Sequence, residues 1–297
     1  MKILITGCNG LLGQKLIALL ASIPEVTLIA TARTPLAGVW SVPFELMDIT
    51  DITSVRRVIS RHRPNVIIHA AAMTQVDICE QQKDACYRTN VGGVENMIEA
   101  ARLSHAHLIH VSTDFIFDGQ RDRLTENDKP APVNYYGQCK LEAEQLVMAS
   151  DNAWSIVRTV LVYGIIPGVQ RSNIVTWVKQ SLEEGKHIRV VNDQWRTPTL
   201  AEDLAYGCYL IAVKGAQGVY HISGKDFVSI YDIAMRTASF FNLDASLITP
   251  VESGALPQPA RRPLRTGFDI SKATSELGYN PHSLAEGISI VASQITL

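Results

Sequence analysis

The sequence lacks the long apolar runs and the one-sided charge that mark membrane and nucleic-acid-binding proteins. Charged residues make up 19% of the 297 residues and the net charge is −2, which argues against a basic surface for nucleic acid or anionic membranes. No unbroken apolar run reaches about 18 residues, and the opening MKILITG is not followed by the apolar core of a signal peptide. We therefore expect a globular, cytoplasmic protein without a nucleic-acid or membrane partner.

Cysteine is scarce and shows no pattern. The five cysteines, Cys8, Cys79, Cys86, Cys139 and Cys208, are odd in number and form no CxxC pair. This usage is typical of reduced thiols in the cytosol, not of a disulfide framework or a zinc site. The histidines of SHAHLIH run into an apparent strand, where side chains alternate between faces, and no carboxylate stands at ligand spacing. No metal site is predicted.

Short apolar runs alternate with helical patterns in the first half of the chain. KILIT, VTLIA, NVIIHA, AHLIHVS and WSIVRTV predict strands, whereas the apolar spacing of Val94, Met97, Ile98 and Ala101 predicts a helix. Such alternation indicates βαβ units and therefore an α/β fold, a Rossmann-type doubly wound parallel sheet with helices on both faces. Ligands of these sheets bind beyond the carboxyl ends of the strands.

After residue 165 the elements become shorter, which indicates a smaller α/β lobe. We expect a dinucleotide-binding domain at 1–165 plus about 195–215, and a substrate-binding lobe at about 166–194 plus 216–297, so that the two are interleaved in sequence. The segment TPTLAEDLAYGCYLIAV predicts a helix that packs back on the first domain. SKATSELG predicts a late helix, with Ser271 as its N-cap and Gly278 as its stop.

A glycine-rich loop follows the first strand. In ITGCNGLLG the glycines Gly7, Gly10 and Gly13 open a helix, where the backbone can approach a pyrophosphate and meet its charge with free N–H groups. The spacing is GxxGxxG. We assign Asn9, Leu11 and Leu12 of the same loop to the cofactor site as well.

Residues after the next strands predict which dinucleotide binds. The second strand ends in ATARTP, with Arg33 where an NAD site would carry an acidic residue, so the sequence favours NADPH, with NADH as an alternative. Arg33 could instead be a solvated loop charge. Asp48 and Ile49 stand where the edge and face of an adenine could be held. The small residues Ala70, Ala71 and Ala72 would let the chain pass close to the cofactor.

A tyrosine and a lysine four residues apart supply the candidate chemistry. Tyr136 and Lys140 would share one face of a helix, and a neighbouring ammonium favours the phenolate of a tyrosine, whose ordinary pKa is about 10. Tyr135 has no lysine at this spacing. Ser112 and Thr113 end a predicted strand of the parallel sheet, where a hydroxyl could hold a carbonyl oxygen while Tyr136 protonates it.

In this order, GxxGxxG, STDFIFDG and YxxxK resemble the extended short-chain dehydrogenase/reductases. Within them, HAAAMTQVDICE, STDFIFDG, NYYGQCK, NDQWRTPT and RRP are similar to the dTDP-4-dehydrorhamnose reductase family, over nearly the whole chain. The resemblance implies reduction of a 4-keto sugar nucleotide by NAD(P)H, the last step to dTDP-L-rhamnose. A nucleotide sugar is then the expected substrate, and a homodimer is one option for the oligomeric state.

The resemblance also implies roles for individual residues. Thr113 would orient the keto oxygen, Tyr136 would donate the proton, and Lys140 would bind the nicotinamide ribose and tune Tyr136. The remaining assignments are Thr74, Asn90 and Ser112 near the cofactor, and Asp114, Trp195 and Arg262 on the substrate side.

One departure from the family keeps other activities open. The chain reads RTVLVYG, with Leu161 where the rhamnose enzymes usually carry a tryptophan, and Trp195 or Trp177 are candidate replacements for that aromatic platform. The similar regulatory β subunit of methionine adenosyltransferase keeps an NADP site and acts by binding a partner enzyme, so a non-catalytic role is an alternative. A 4-epimerase is a second alternative. A 4,6-dehydratase is disfavoured because Phe115 follows Asp114, where that activity needs a glutamate.

Overall fold

The computed structural model describes residues 1–35, 42–166 and 173–295, which form alternating strands and helices. The strands are β1 Lys2–Thr6, β2 Thr27–Ala32, β3 Phe44–Leu46, β4 Val66–His69, β5 His107–Thr113, β6 Trp154–Thr159, β7 Val162–Tyr163, β8 Ile188–Val191, β9 Trp195–Arg196, β10 Thr199–Leu200, β11 Gly218–His221, β12 Val228–Ser229, β13 Ile248–Val251 and β14 Arg265–Thr266. The α-helices are α1 Leu11–Leu20, α2 Ile52–His62, α3 Val76–Gln81, α4 Lys83–Tyr87, α5 Gly93–Ser104, α6 Tyr135–Met148, α7 Ile174–Glu183, α8 Ala201–Lys214, α9 Ile230–Phe240 and α10 Leu284–Ile295.

Seven strands form one parallel sheet in the order β11-β6-β5-β4-β1-β2-β3. The order reverses between β1 and β4, which is the switch point where a doubly wound fold opens a crevice at the carboxyl ends of its strands. The predicted fold class is therefore confirmed, and the five predicted runs are all strands of this sheet.

Alternation along the strands explains why both faces of the sheet are covered. On β1, Ile3 and Ile5 enter one apolar cluster together with α1 and α8, whereas Leu4 enters the opposite cluster with α2, α5 and α6. The predicted helix around Val94 and Met97 is α5, and the predicted packing of α8 on the first domain is its contact with α1. Within the three described ranges, no helix is both long and apolar enough to cross a membrane.

Smaller sheets lie beyond the carboxyl end of the large one. They pair β10 with β7, β9 with β12 and β14, and β13 with β8. β11 is the edge strand of the large sheet, whereas β9 pairs with β12 and β14 of the later segments. The division into two lobes itself stays a prediction.

The late helix also differs from expectation at its start. Gly278 ends it with a left-handed φ of 72°, as predicted, but the turn at Ala273–Leu277 is π-helical. The carboxylate of Asp269 accepts a hydrogen bond of 2.7 Å from the backbone N–H of Ser271. The prediction of Ser271 as the N-cap is therefore wrong: Ser271 is already helical, and the side chain of Asp269 provides the cap.

Candidate functional site

The turn between β1 and α1 lies at the switch point of the sheet. Gly7 has a φ of 72°, and a Cβ at this position would lie 2.8 Å from the backbone N and Cα of Ala71, so a side chain would strain the backbone and clash. Gly10 precedes α1 without any side-chain cap, which leaves the first N–H groups of the helix facing the cleft. This geometry fits the negative charge of a pyrophosphate.

The loop after β2 forms one end of the cleft. Arg33 is exposed and lines the cleft there. The Asn9 amide donates hydrogen bonds of 3.1 Å to the Thr34 hydroxyl and of 3.0 Å to the Pro35 carbonyl, which ties this loop to the glycine-rich turn. Arg33 therefore lies next to the turn that fits the phosphates. It follows the second strand, which is where proteins of this fold bind the ribose 2′-phosphate.

The residues after β3 and β4 form the walls on either side. The Asp48 carboxylate accepts hydrogen bonds of 2.9 and 2.8 Å from the backbone and hydroxyl of Thr50, and Ile49 beside it is buried. Ala70, Ala71 and Ala72 follow β4 and line the cleft next to Asp48, as does Thr74.

Asn90 acts on this wall from behind. It is buried in the π-helical turn Arg88–Gly92, and it is not among the residues that line the cleft. Its side-chain oxygen accepts from the Met73 N–H at 2.8 Å and its amide donates to the Met73 carbonyl at 2.9 Å. Asn90 therefore contacts the wall of the cleft and not its interior. Its predicted role in the cofactor site would be to hold Met73 in position.

The N-terminus of α6 brings Tyr136 to the carboxyl end of β5. The Asn134 side chain caps α6 by accepting from the Gly137 N–H at 2.8 Å. A Cβ on Gly137 would lie 2.1 Å from the Phe115 carbonyl oxygen, so only glycine lets the helix approach the end of β5 this closely. Tyr136 then lies beside Thr113, and its ring meets the Phe115 ring edge to face with centroids 6.0 Å apart.

The phenol of Tyr136 is held in its protonated form. Burial raises the pKa of Tyr136 well above its usual range, and the nearby Thr113 hydroxyl lowers it only in part. We expected Lys140 to lower this pKa. In the structure the Lys140 ammonium instead donates to the Val111 carbonyl at 2.7 Å and to the His110 Nε2 at 3.1 Å.

Lys140 is a buried cation with one donor to spare. An ammonium has three N–H donors, and the two contacts above leave one for a group in the cleft. Burial lowers the pKa of Lys140 to about 8, while the Glu144 carboxylate on the same helix raises it. Glu144 is itself buried against Arg158, whose guanidinium makes contacts of 2.7, 3.1 and 3.2 Å with it.

A row of polar side chains that the sequence did not predict supports Lys140. Because an ammonium cannot accept, His110 Nε2 must accept and the imidazole must be neutral, in agreement with the burial that lowers its pKa well below the usual range. His69 stands opposite His110 in the register of β4 and β5, with ring centroids 5.4 Å apart. Its Nδ1 lies 2.8 Å from the Thr6 hydroxyl.

Hydroxyl and carboxyl groups at the end of β5 complete this part of the site. The buried Ser112 hydroxyl has no hydrogen-bond partner within the described part of the chain, so it is available to a ligand. The Asp114 carboxyl lines the cleft, but it accepts from Thr113 at 3.2 Å and from Thr266, and lies 3.5 Å from Arg196. Asp114 therefore positions Thr113 and Arg196. Because its carboxyl is already paired, it is not free to bind a substrate.

Neither tryptophan that was a candidate for the aromatic platform lines the substrate end of the cleft. Trp195 does not line the cleft, because side chains alternate along β9 and its neighbours Gln194 and Arg196 point there instead. The Trp195 ring packs against Phe227, with centroids 5.5 Å apart. Trp177 is also absent from the cleft lining. Leu161 lines the cleft with a left-handed φ of 38°.

Arg262 lines the same end and is already paired. Its guanidinium contacts the two carboxylate oxygens of Asp77 at 2.6 and 3.1 Å. The Gln194 amide nitrogen is buried and has no hydrogen-bond partner in residues 1–35, 42–166 and 173–295. Gln194 and Arg196 also line this end of the cleft. Their segment, NDQWRTPT, carries part of the family resemblance, but the sequence alone did not predict these two residues as site residues.

The residues that line the site enclose one cleft of about 1660 Å³. Pockets for single small ligands are usually about 300–1,000 Å³, so there is room for a dinucleotide and a second molecule. Of the predicted site residues, those that line it are Gly7, Asn9, Gly10, Leu11, Leu12, Gly13, Arg33, Asp48, Ile49, Ala70, Ala71, Ala72, Thr74, Ser112, Thr113, Asp114, Tyr136, Lys140 and Arg262. In the part of the chain that the structure describes, no group of three or more His, Cys, Asp or Glu is arranged to hold a metal ion.

Comparison with known proteins matches this geometry to a family. The family model described as RmlD substrate binding domain matches residues 1–296. The chain is 30% identical over 276 residues to methionine adenosyltransferase 2 subunit beta of Mus musculus, covering 91% of this chain and 81% of that protein. It is 32% identical over 282 residues to a dTDP-4-keto-6-deoxy-D-glucose reductase of Streptomyces niveus, covering 94% and 91%.

Solved structures agree with the sequence matches. The dTDP-4-dehydrorhamnose reductase of Bacillus anthracis, solved in complex with NADP, superposes with a TM-score of 0.89 at 31% identity. The superposition covers 99% of each chain.

Replacing Arg33 tests how the cleft selects its dinucleotide. Arg33→Ala should weaken NADPH binding by about 10-fold or more, the effect of losing a charge-assisted hydrogen bond, and should leave NADH binding nearly unchanged. Titration of the protein fluorescence with each dinucleotide measures this difference. Arg102→Ala, at an exposed site on α5, is the matched control. Equal losses for NADPH and NADH would show that Arg33 does not read the 2′-phosphate.

Proposed function

The chain belongs to the RmlD family, and from this premise we propose that it is an NADPH-dependent ketoreductase of a 4-keto sugar nucleotide, with dTDP-4-dehydro-L-rhamnose as the substrate and dTDP-L-rhamnose as the product. The observation that carries the proposal is that Tyr136 and Thr113 lie side by side in the same cleft as the glycine-rich turn and Lys140. A proton donor thus stands where a carbonyl would lie over a nicotinamide.

The residues divide the chemistry between them. NADPH, when bound, supplies the hydride that is added to the keto carbon. Thr113 and Tyr136 hold the keto oxygen, and Tyr136 transfers its phenolic proton to that oxygen, so that the carbonyl becomes a hydroxyl. Lys140 uses its remaining N–H to bind the cofactor ribose, and its positive charge stabilises the phenolate that Tyr136 leaves behind. Solvent then returns the proton to Tyr136.

Basic and amide groups support a nucleotide sugar at the other end of the cleft. Arg196, Arg262 and Gln194 line it and offer donors to phosphate and sugar oxygens. Leu161 stands where the family's aromatic platform would lie, and the Streptomyces niveus relative is named for a different 4-keto sugar, so the choice of sugar depends on this end of the cleft.

A non-catalytic, NADP-binding regulatory role is the second candidate. The similarity to methionine adenosyltransferase 2 subunit beta favours it, together with Leu161 in place of the family tryptophan. The two candidates differ in a simple way, because a regulatory subunit would bind NADPH without consuming it in the presence of any keto sugar nucleotide. A sugar-nucleotide 4-epimerase would instead interconvert hydroxyl epimers without net consumption of NADPH.

The neighbouring tyrosines allow a matched test of the proton donor. Tyr136→Phe should lower kcat by about 10²- to 10⁴-fold, the usual contribution of a general acid, and leave NADPH affinity within a few-fold of wild type. Tyr135→Phe, one position earlier on α6, should retain the wild-type rate. The measurement is NADPH oxidation with dTDP-4-dehydro-L-rhamnose. Comparable turnover in Tyr136→Phe would remove this residue from the mechanism.

The pH profile tests the support of Lys140. The folded-state pKa of Lys140 is lowered to about 8, so the cationic form is present below this pH and is lost as the pH rises through it. The rate should therefore fall on the alkaline side near pH 8. His110→Leu removes an acceptor that favours the charged form, and should move this alkaline limb about one pH unit lower.

His110→Asn is the control for that shift, because its side-chain oxygen keeps an acceptor at this position. It should restore most of the wild-type profile. An alkaline limb that stays in place in His110→Leu would show that the His110 contact does not set the protonation of Lys140.

A further inference from the structure

Three cysteines that are far apart in sequence meet behind the wall of the cleft. Cys79 of α3, Cys86 of α4 and Cys139 of α6 are buried in one apolar cluster, which also contains Tyr136 and Val91. The other two cysteines, Cys8 and Cys208, belong to a different cluster under α1 and α8. The apparent scatter of thiols in the sequence therefore hides a local concentration of three.

These thiols act on one another and on the wall of the cleft. Cys86 affects the pKa values of both Cys79 and Cys139, which places its sulfur between theirs in the cluster. The Cys79 thiol in turn donates to the Met73 carbonyl at 3.6 Å. The Asn90 amide, which holds both backbone groups of Met73, also donates to the Cys86 sulfur at 3.4 Å. Cys79 and Cys86 therefore contact two residues that are bonded to each other, Met73 and Asn90, at the wall of the cleft.

The three thiols differ in acidity. The hydrogen bond from Cys86 lowers the pKa of Cys79. The hydrogen bond from Cys139 lowers the pKa of Cys86, but the hydrogen bond to Cys79 and burial outweigh it and raise that pKa to about 12. The hydrogen bond to Cys86, with burial, raises the pKa of Cys139 above its usual range. Cys79 is therefore the thiol most easily converted to the nucleophilic thiolate.

We propose that Cys79 and Cys86 form a reversible disulfide when the protein meets a hydroperoxide, and that this disulfide weakens dinucleotide binding in the cleft. The Cys79 thiolate attacks the peroxide oxygen and becomes a sulfenic acid as water leaves. The Cys86 sulfur then attacks the Cys79 sulfur, the S–S bond forms, and a second water leaves. Two thiols and one hydrogen peroxide thus give one disulfide and two waters, and a dithiol reductant reverses the change.

The surrounding helices permit this reaction although the thiols are buried. α3 and α4 contain 6 and 5 residues and join at Gln82, which has non-helical dihedral angles. Helices this short have few internal hydrogen bonds, so local opening costs less than it does in the core of the sheet. Their outer residues, including Gln81, Lys83 and Asp84, are exposed to solvent.

The disulfide would act on the cleft through Met73. Oxidation removes the Cys79 S–H that donates to the Met73 carbonyl, and draws the Cys86 sulfur away from the Asn90 amide toward an S–S distance of about 2.05 Å. Asn90 and Met73 would then lose two of the contacts that hold them in register. Met73 lines the cleft beside Ala72 and Thr74. We expect this wall to shift and the fit to the dinucleotide to loosen.

The test treats the full-length protein with hydrogen peroxide, quenches with catalase, and reads both mass and affinity. Tandem mass spectrometry of unreduced peptides should show one Cys79–Cys86 link and the loss of two hydrogens. The dissociation constant for NADPH should rise about tenfold, as for one lost hydrogen bond, and return after dithiothreitol. The affinity reading depends on the proposed cofactor, whereas the peptide map does not, so failure of NADPH binding and failure of the disulfide are distinguishable.

Variants separate the proposed pair from the other thiols. Cys86→Ser and Cys79→Ser should show neither the link nor the change in affinity. Cys139→Ser and Cys208→Ser should behave like wild type, and circular dichroism checks that each variant is folded. Addition of oxygen without a disulfide, a link that uses Cys139, or a Cys79–Cys86 link that leaves NADPH affinity unchanged would each overturn the proposal. The wild-type peptide map decides the pairing even if a variant does not fold.

Discussion

The burial of the Lys140 ammonium is the constraint around which the site is built. A buried charge costs several kcal/mol unless hydrogen bonds and an opposite charge compensate for it. Here the Val111 carbonyl and His110 accept from the ammonium, and Glu144 places a carboxylate one helical turn further along α6. Arg158 of β6 then neutralises Glu144. The charged groups therefore fix the middle of α6 against β5 and β6.

This placement determines where the reacting groups lie. Tyr136 precedes Lys140 by one turn, so fixing the lysine brings the phenol to the end of β5 beside Thr113. Gly137 allows that approach, since any side chain there would meet the Phe115 carbonyl. The Asp114 carboxyl links the same end of β5 to Arg196 and Thr266 in the smaller sheet. The substrate end of the cleft is thus anchored to the strand that carries the proposed catalytic hydroxyl.

The features that could be predicted from the sequence are those with local signals. The continuous apolar run of Ile3, Leu4 and Ile5 predicts a strand that is buried on both faces. The glycines after this strand predict the phosphate-binding turn. Contacts between residues that are far apart in the chain could not be predicted in the same way. The register that places His69 beside His110 carries no local signal, nor does the meeting of three cysteines from α3, α4 and α6. Trp195 was misjudged because its direction depends on the pairing of a two-residue strand.

If the cleft reduces a keto sugar nucleotide, a hydrogen from NADPH must end on the carbon of the sugar that carried the keto group. The protein would be incubated with dTDP-4-dehydro-L-rhamnose and NADPH that carries deuterium at the transferable hydrogen, and the product sugar analysed by mass spectrometry and NMR. One deuterium is expected on the carbon that bore the keto group, in proportion to the NADPH consumed. Tight NADPH binding without deuterium in this sugar or in other 4-keto sugar nucleotides would contradict it.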